Sequence, residues 1–188
     1  MPKPDLTALT GGYRKAPVLQ IGADIYCDSQ LIMRELERRC PSPTFYPAGH
    51  GAVDALAWWA EKPTFGQAAS VVFAKKFDSL PAGFLEDRAK FSGRNIDPAA
   101  MQAALPNALD QLRAHFDWLG RMLADGRLFL QGSAAGLADL AAYHPVWFLR
   151  QRIGGEFPSR RREHSIASSS CLHQAGHGRR GDQDQGEQ

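Results

Sequence analysis

From Lys15 to Arg39 the chain reads KAPVLQIGADIYCDSQLIMRELERR, and its apolar positions change spacing partway through. Val18, Leu19 and Ile21, then Ile25 and Tyr26, are strand formers, and Gly22-Ala23-Asp24 between them supplies a turn. This pattern predicts an antiparallel hairpin. Asp28 or Ser29 can then accept hydrogen bonds from the first free N–H groups of a helix. Leu31, Ile32 and Leu36 give that helix an apolar stripe, while Arg34, Glu35, Glu37, Arg38 and Arg39 face water. Two strands and one helix bury too little surface to stand alone, so the hairpin needs partners from elsewhere.

Upstream, Pro2 and Pro4 discourage a long helix; Asp5 can cap a single turn through Leu9, and Gly11-Gly12 ends it. Downstream, CPSPTFYPAGHG is dense in proline and glycine and reads as a linker over residues 40–51. Beyond it the spacing becomes helical. Ala55, Leu56, Trp58 and Trp59 begin an apolar face that Val71, Val72, Phe73 and Phe77 continue. Pro63 and Gly66 between them predict a kink or break. Residues 78–95 read as loop or frayed helix. Asp97-Pro98 opens the clearest helix, with Leu105, Leu109, Leu112, Phe116, Leu119 and Leu123 in register, Pro106 as a point of bending or restart, and Gly126 as the stop. From Leu137 to about Arg152 runs the most hydrophobic helix, expected in the middle of a bundle. After Phe157 the composition turns to Arg, Ser, His and Gly without periodicity, and residues 158–188 are expected to be a disordered tail.

Composition narrows the class. An apolar share of 44% and a charged share of 22% are those of an ordinary soluble protein. A net charge of +2 gives no reason to expect nucleic acid or an anionic membrane as partner, and no apolar run is long enough to span a bilayer. Cys27, Cys40 and Cys171 form neither a disulfide framework nor a zinc pattern, and the start lacks a secretory signal, so a cytoplasmic setting is expected. Cys171, His173 and His177 in the tail are too isolated to make a metal site, and its arginines are nearly cancelled by nearby acids. His50, His115 and His144 have no nucleophile or acid at matching spacing and read as core or surface residues.

Taken alone, Pro17 reads as a trans proline opening an edge strand, Asp28-Ser29 as a helix cap and Lys15 as a solvated cation. Taken together, Ala16-Pro17 before the hairpin, Asp28-Ser29 at the next helix start and a helical bundle behind them resemble the glutathione transferases over roughly residues 5–157. The resemblance implies a particular fold class. It is an α/β thioredoxin-like N-terminal portion, incomplete as hairpin plus helix (1–39), followed by an all-α helical bundle domain of glutathione transferase type (52–157). It also implies a cis bond before Pro17, with Ala16 offering backbone groups to the cysteinyl part of glutathione. Asp28 and Ser29 would hold the γ-glutamyl end, and Lys15 would reach the glycyl carboxylate. A helix N-terminus suits a carboxylate and an aspartate suits an ammonium group. Gly136-Leu137-Ala138-Asp139 stands where the family carries a Ser/Thr-x-x-Asp capping box, which makes Asp139 structural; glycine costs only a few tenths of a kcal/mol against serine at an N-cap. Trp58, Trp59, Phe65 and Phe73 are candidates for an electrophile site, core or dimer interface.

The family's reaction joins the glutathione thiolate to an electrophilic small molecule, without metal or other cofactor and usually in a homodimer. Its thiol-activating Ser, Cys or Tyr follows a first strand for which this chain has no counterpart, so no catalytic residue is assigned. Tyr13, Cys27 and Ser29 have suitable side chains in other positions. The resemblance thus implies a shortened reading of such a gene, out of frame after about Phe157, with little turnover. The alternative is a non-catalytic glutathione-binding or protein-assembly module on the same fold, or a chain that does not fold stably.

Overall fold

A short first helix, α1 (Pro4–Leu9), ends before the Gly11-Gly12 pair as expected, with Asp5 inside its first turn rather than capping it. The computed structural model describes residues 4–93 and 96–154; the expected tail, including Cys171, His173 and His177, lies outside the described residues. Strands β1 (Val18–Ile21) and β2 (Asp24–Cys27) pair antiparallel with Val18 opposite Cys27 and Ile21 opposite Asp24. Gly22 takes φ +62° in the turn, a left-handed conformation that glycine reaches at little cost. Helix α2 (Ser29–Arg39) follows and packs on both strands. The N-terminal part is therefore a two-stranded sheet with helices, and the remainder is helical. The order is the expected one, an α/β portion followed by an all-α portion.

The helical part comprises α3 (His50–Trp59), a π-helical turn (Ala60–Thr64), α4 (Phe65–Lys76), a 3₁₀ turn (Phe77–Ser79), α5 (Phe84–Ser92), α6 (Pro98–Met122) and α7 (Leu137–Ile153). The break expected at Pro63 is the π turn. Pro63 has no N–H to give the carbonyl of Trp59, and the hydroxyl of Thr64 donates to that oxygen instead, at 3.2 Å. The same hydroxyl oxygen lies 2.9 Å from Nδ1 of buried His115. With its own proton given to Trp59, Thr64 accepts the proton on His115 Nδ1. Burial pushes the His115 pKa below its usual 6.5, so the ring stays neutral around pH 7. Pro106, by contrast, does not divide α6, which runs as one helix through it.

Helix α7 packs against α3, the π turn and α4. Its buried face is made of Leu137, Ala138, Ala141, Ala142, Pro145, Leu149 and Ile153, while Leu140 and Trp147 are exposed. Hydrophobicity alone would have put the large side chains inward. Alanines dominate the middle of this face because small side chains let backbones approach closely, and Leu140 and Trp147 are left outside. Two core clusters result, one around Val53, Ala57, Leu119 and Ala138, the other around Val71, Leu112 and Leu149, with Phe116 packed against both.

Polar contacts fasten the hairpin unit to this bundle. Arg34 donates to Asp54 at 2.9 Å, and the Glu37 carboxylate accepts from the Phe45 N–H at 2.8 Å. Within α2, Glu35 is buried rather than facing water. It accepts from Arg38 at 2.7 and 2.9 Å, from Arg39 at 2.6 Å and from the Tyr26 hydroxyl at 3.2 Å. These donors, Arg38 foremost, hold its pKa down at about 2 instead of 4.5. A depressed carboxylate pKa stabilises the fold above the unfolded value, and that contribution fades as pH falls from 4.5 through about 2. Thermal melts across this acid window should therefore show a shallower loss of midpoint in Glu35→Gln than in the parent chain. Equal slopes would deny Glu35 this role.

Candidate functional site

The hairpin register places the candidate residues. Val18 pairs with Cys27 as the last pair of the ladder, so Ala16-Pro17 just before β1 and Asp28-Ser29 just after β2 both flank the same end of the hairpin. The four residues meet at the open end of the hairpin, opposite the Gly22 turn. Alternating apolar runs around a short turn dictate this, because the turn length sets the register. The Ala16–Pro17 peptide bond is cis, and both residues are exposed.

Asp28 is the N-cap of α2, its Oδ1 accepting from the Gln30 N–H at 2.9 Å. Its backbone sits at φ +81°, ψ 131° and is the one non-glycine residue at positive φ among the described residues. Such a conformation costs on the order of 1–3 kcal/mol and persists where the surroundings over-determine it, often at ligand sites. Ser29 is the first residue of α2 and is partly exposed, so the helix presents its N-terminal partial positive charge at this end of the hairpin.

Three further groups crowd this end without having been singled out as site residues from the sequence. Tyr13 is one. Burial, then the nearby Asp28 and Cys27, raises the pKa of its hydroxyl, and a hydrogen bond from the Asp28 backbone counters this. Glu61, on the π turn, is the second. Its pKa is raised by burial, with Lys62 opposing and Asp28 adding to the rise. Helix α5 is the third. Asp87 accepts from Arg14 at 2.8 and 3.0 Å, which sets α5 against the segment leading into β1. Phe91 then lies under Arg14 (4.8 Å to the ring centroid) and Lys15 (5.7 Å), with Arg88 beside the same ring at 5.9 Å. Residues 84–92 look like frayed helix in sequence because their apolar face is only two phenylalanines and a leucine wide. The anchoring partner lies 73 positions upstream, where no local pattern shows it.

The aromatic candidates are dispersed. Trp58 is exposed; Trp59 packs on His115 and Trp118 with centroids 5.1 and 5.8 Å apart. Phe65 stacks on His144 at 4.4 Å, and Phe73 meets Phe84 at 5.9 Å. A surface pocket of about 490 Å³ between the end of α4 and the start of α6 is lined by Ala74, Lys75, Phe77, Asp78, Pro98, Ala99 and Gln102, none of them a residue of the hairpin end. His50, expected in the linker, begins α3. No group of three metal-ligating side chains occurs among the described residues, and no helix there is long and apolar enough to cross a membrane.

Comparison with known proteins agrees with this layout. Residues 1–44 match the glutathione S-transferase N-terminal domain, and residues 74–163 match a domain of unknown function (DUF7962). A solved GST-like protein from Pseudomonas syringae is 41% identical, with a TM-score of 0.60 over 81% of this chain and 46% of that one. The chain thus spans about half the length of that protein. No protein of curated function matches. A hairpin opening on a cis proline and closing on an acidic helix cap, with this domain match and this structural relative, places the chain in the glutathione S-transferase family.

Proposed function

We propose that this chain binds glutathione at the open end of the hairpin, as the glutathione-holding part of a transferase that conjugates the thiolate to an electrophilic small molecule. The observation that carries the reading is the pairing of Val18 with Cys27, which leaves Ala16-Pro17 and Asp28-Ser29 flanking the same end of the hairpin. Extended peptides are bound at strand edges by main-chain groups. Ala16 and Pro17 stand where β1 begins, with Ala16 offering its backbone to the cysteinyl residue. The N-terminus of α2 and the Ser29 hydroxyl receive the γ-glutamyl carboxylate. Asp28 faces the ammonium group, and Lys15, beside Phe91 and Arg88, takes the glycyl carboxylate.

In this reading residues 1–39 form the glutathione-binding part, residues 40–51 the linker and residues 52–157 the helical domain. None of the five contact residues activates the sulfur, so binding is expected without appreciable turnover. That outcome also favours a non-catalytic binding module over an enzyme. Calorimetric titration of the full chain with glutathione should give saturable binding, and chlorodinitrobenzene should be consumed at the background rate. Absence of glutathione binding would overturn the reading. Turnover well above background would overturn its non-catalytic part.

A further inference from the structure

Helix α5 is ordered without a buried residue of its own, and a glycine in the left-handed region stands at each end, Gly83 at φ +74° and Gly93 at φ +66°. A helix of 9 residues is too short to be stable in water by itself, so its order comes from what it touches. At its start Phe84 meets Phe73 of α4, with ring centroids 5.9 Å apart. From its middle Asp87 accepts from Arg14 at 2.8 and 3.0 Å, and one turn further on Phe91 lies under Arg14 and Lys15. The helix thus reaches from α4 to the segment that runs straight into Ala16-Pro17.

The charges at this junction are unbalanced. Arg14, Lys15 and Arg88 stand 4.8, 5.7 and 5.9 Å from the centre of the Phe91 ring. Asp87 neutralises Arg14, whereas Lys15 and Arg88 make no ion pair among the described residues. Lys15 belongs to the hairpin unit and Arg88 to α5, so two like charges held around one ring oppose the docking of the helix. An anion at Lys15 removes that opposition. It therefore binds the docked arrangement better than the undocked one, which is the condition for a ligand to shift such an equilibrium.

We infer that α5 is a strap, latched by Asp87 on Arg14, that the ligand's glycyl carboxylate holds closed over the Lys15 end of the site. The inference rests on the glutathione reading above and deepens it. Gly83 and Gly93 are the joints on which the strap opens, and a segment with no buried side chain is the kind that opens locally while the rest stays folded. Asp87 is a positioning residue, acting through Arg14 on the neighbouring Lys15.

Hydrogen exchange on the full chain, read by mass spectrometry with and without saturating glutathione, tests this. Amide exchange across residues 84–92 should slow by about tenfold when glutathione binds, as a charge-assisted contact implies. The glycyl amide of glutathione, which lacks the carboxylate, should leave that exchange unchanged. Asp87→Asn should speed it in the free chain and weaken glutathione by about tenfold. Exchanging the charges, Arg14→Asp together with Asp87→Arg, should restore the slow exchange, which a misfolded variant would not do. Calorimetric binding of glutathione with no change across residues 84–92, or equal slowing by the amide, would overturn the inference while leaving the glutathione site standing. A parent chain that binds no glutathione would overturn the underlying reading and the strap with it. Far-ultraviolet circular dichroism of each variant separates these outcomes from misfolding.

Discussion

Alanine in place of Asp139 is expected to destabilise the fold by about 3–5 kcal/mol, because two backbone donors lose a charged acceptor at once. One Asp139 oxygen accepts from the Gly136 N–H at 2.9 Å, and the other from the Leu130 N–H at 2.8 Å. Leu130 is buried, so water is not at hand to replace the lost partner there. Asp139→Asn keeps a single acceptor oxygen and should fall between the parent and the alanine variant. Urea unfolding midpoints of the three chains check this ordering; an alanine variant within about 1 kcal/mol of the parent would show that neither bond matters to stability.

The second large effect is expected at Leu149, which is fully buried in α7 within the cluster that holds Val71, Leu112 and Ile153. Leu149→Ala removes methyl groups from a closely packed site and should cost about 2–5 kcal/mol, the spread reflecting how far the neighbours can collapse. For a chain of this size that is roughly a 10 °C fall in thermal midpoint. Trp147 on the same helix is 45% exposed, so Trp147→Ala should cost far less despite deleting a larger side chain. Comparable losses for the two would mean that α7 is not packed through the face that carries Leu149.

Gly136 shows how a local rule and its tertiary setting can point in opposite directions. Glycine at a helix N-cap is nearly as good as serine by capping alone, so the absent hydroxyl looks like a small defect. In the fold, a Cβ at position 136 would stand 2.7 Å from Cδ of Pro47 and 2.9 Å from the carbonyl oxygen of Phe45. That same carbonyl accepts from the Leu137 N–H at 2.8 Å, so the linker and the start of α7 are drawn together there. The residue is glycine because nothing larger fits. Only the return half of the capping box is made, from Asp139 to the Gly136 N–H.

Glu35 and Glu61 illustrate what pattern cannot convey about acids. A glutamate on a helix face rich in arginine reads as solvated, and at position 35 the helical spacing to Arg38 and Arg39 was visible. The Tyr26 hydroxyl and the burial that complete the cluster come from the sheet. Glu61 stands on the π turn next to a lysine, and the effect of the Asp28 carboxylate on it has no local signature in the sequence.

The sequence by itself determined the hairpin but not its register, which differs from the expected three-residue turn because Asp24 opens β2 and pairs with Ile21. It also determined a helix cap at Asp28 or Ser29, the cap at Asp97 and the switch from α/β to all-helical structure. All of these depend on residues within a turn or two of one another, where spacing and side-chain chemistry act directly. The tertiary structure alone decided which face of α7 is buried, why Gly136 has no side chain, how α5 is anchored by Arg14, and that Glu35 is buried with the Tyr26 hydroxyl bonded to it. Those outcomes depend on which helices approach closely and on which charges are brought together. Packing sets both across tens of residues, and no local period records them.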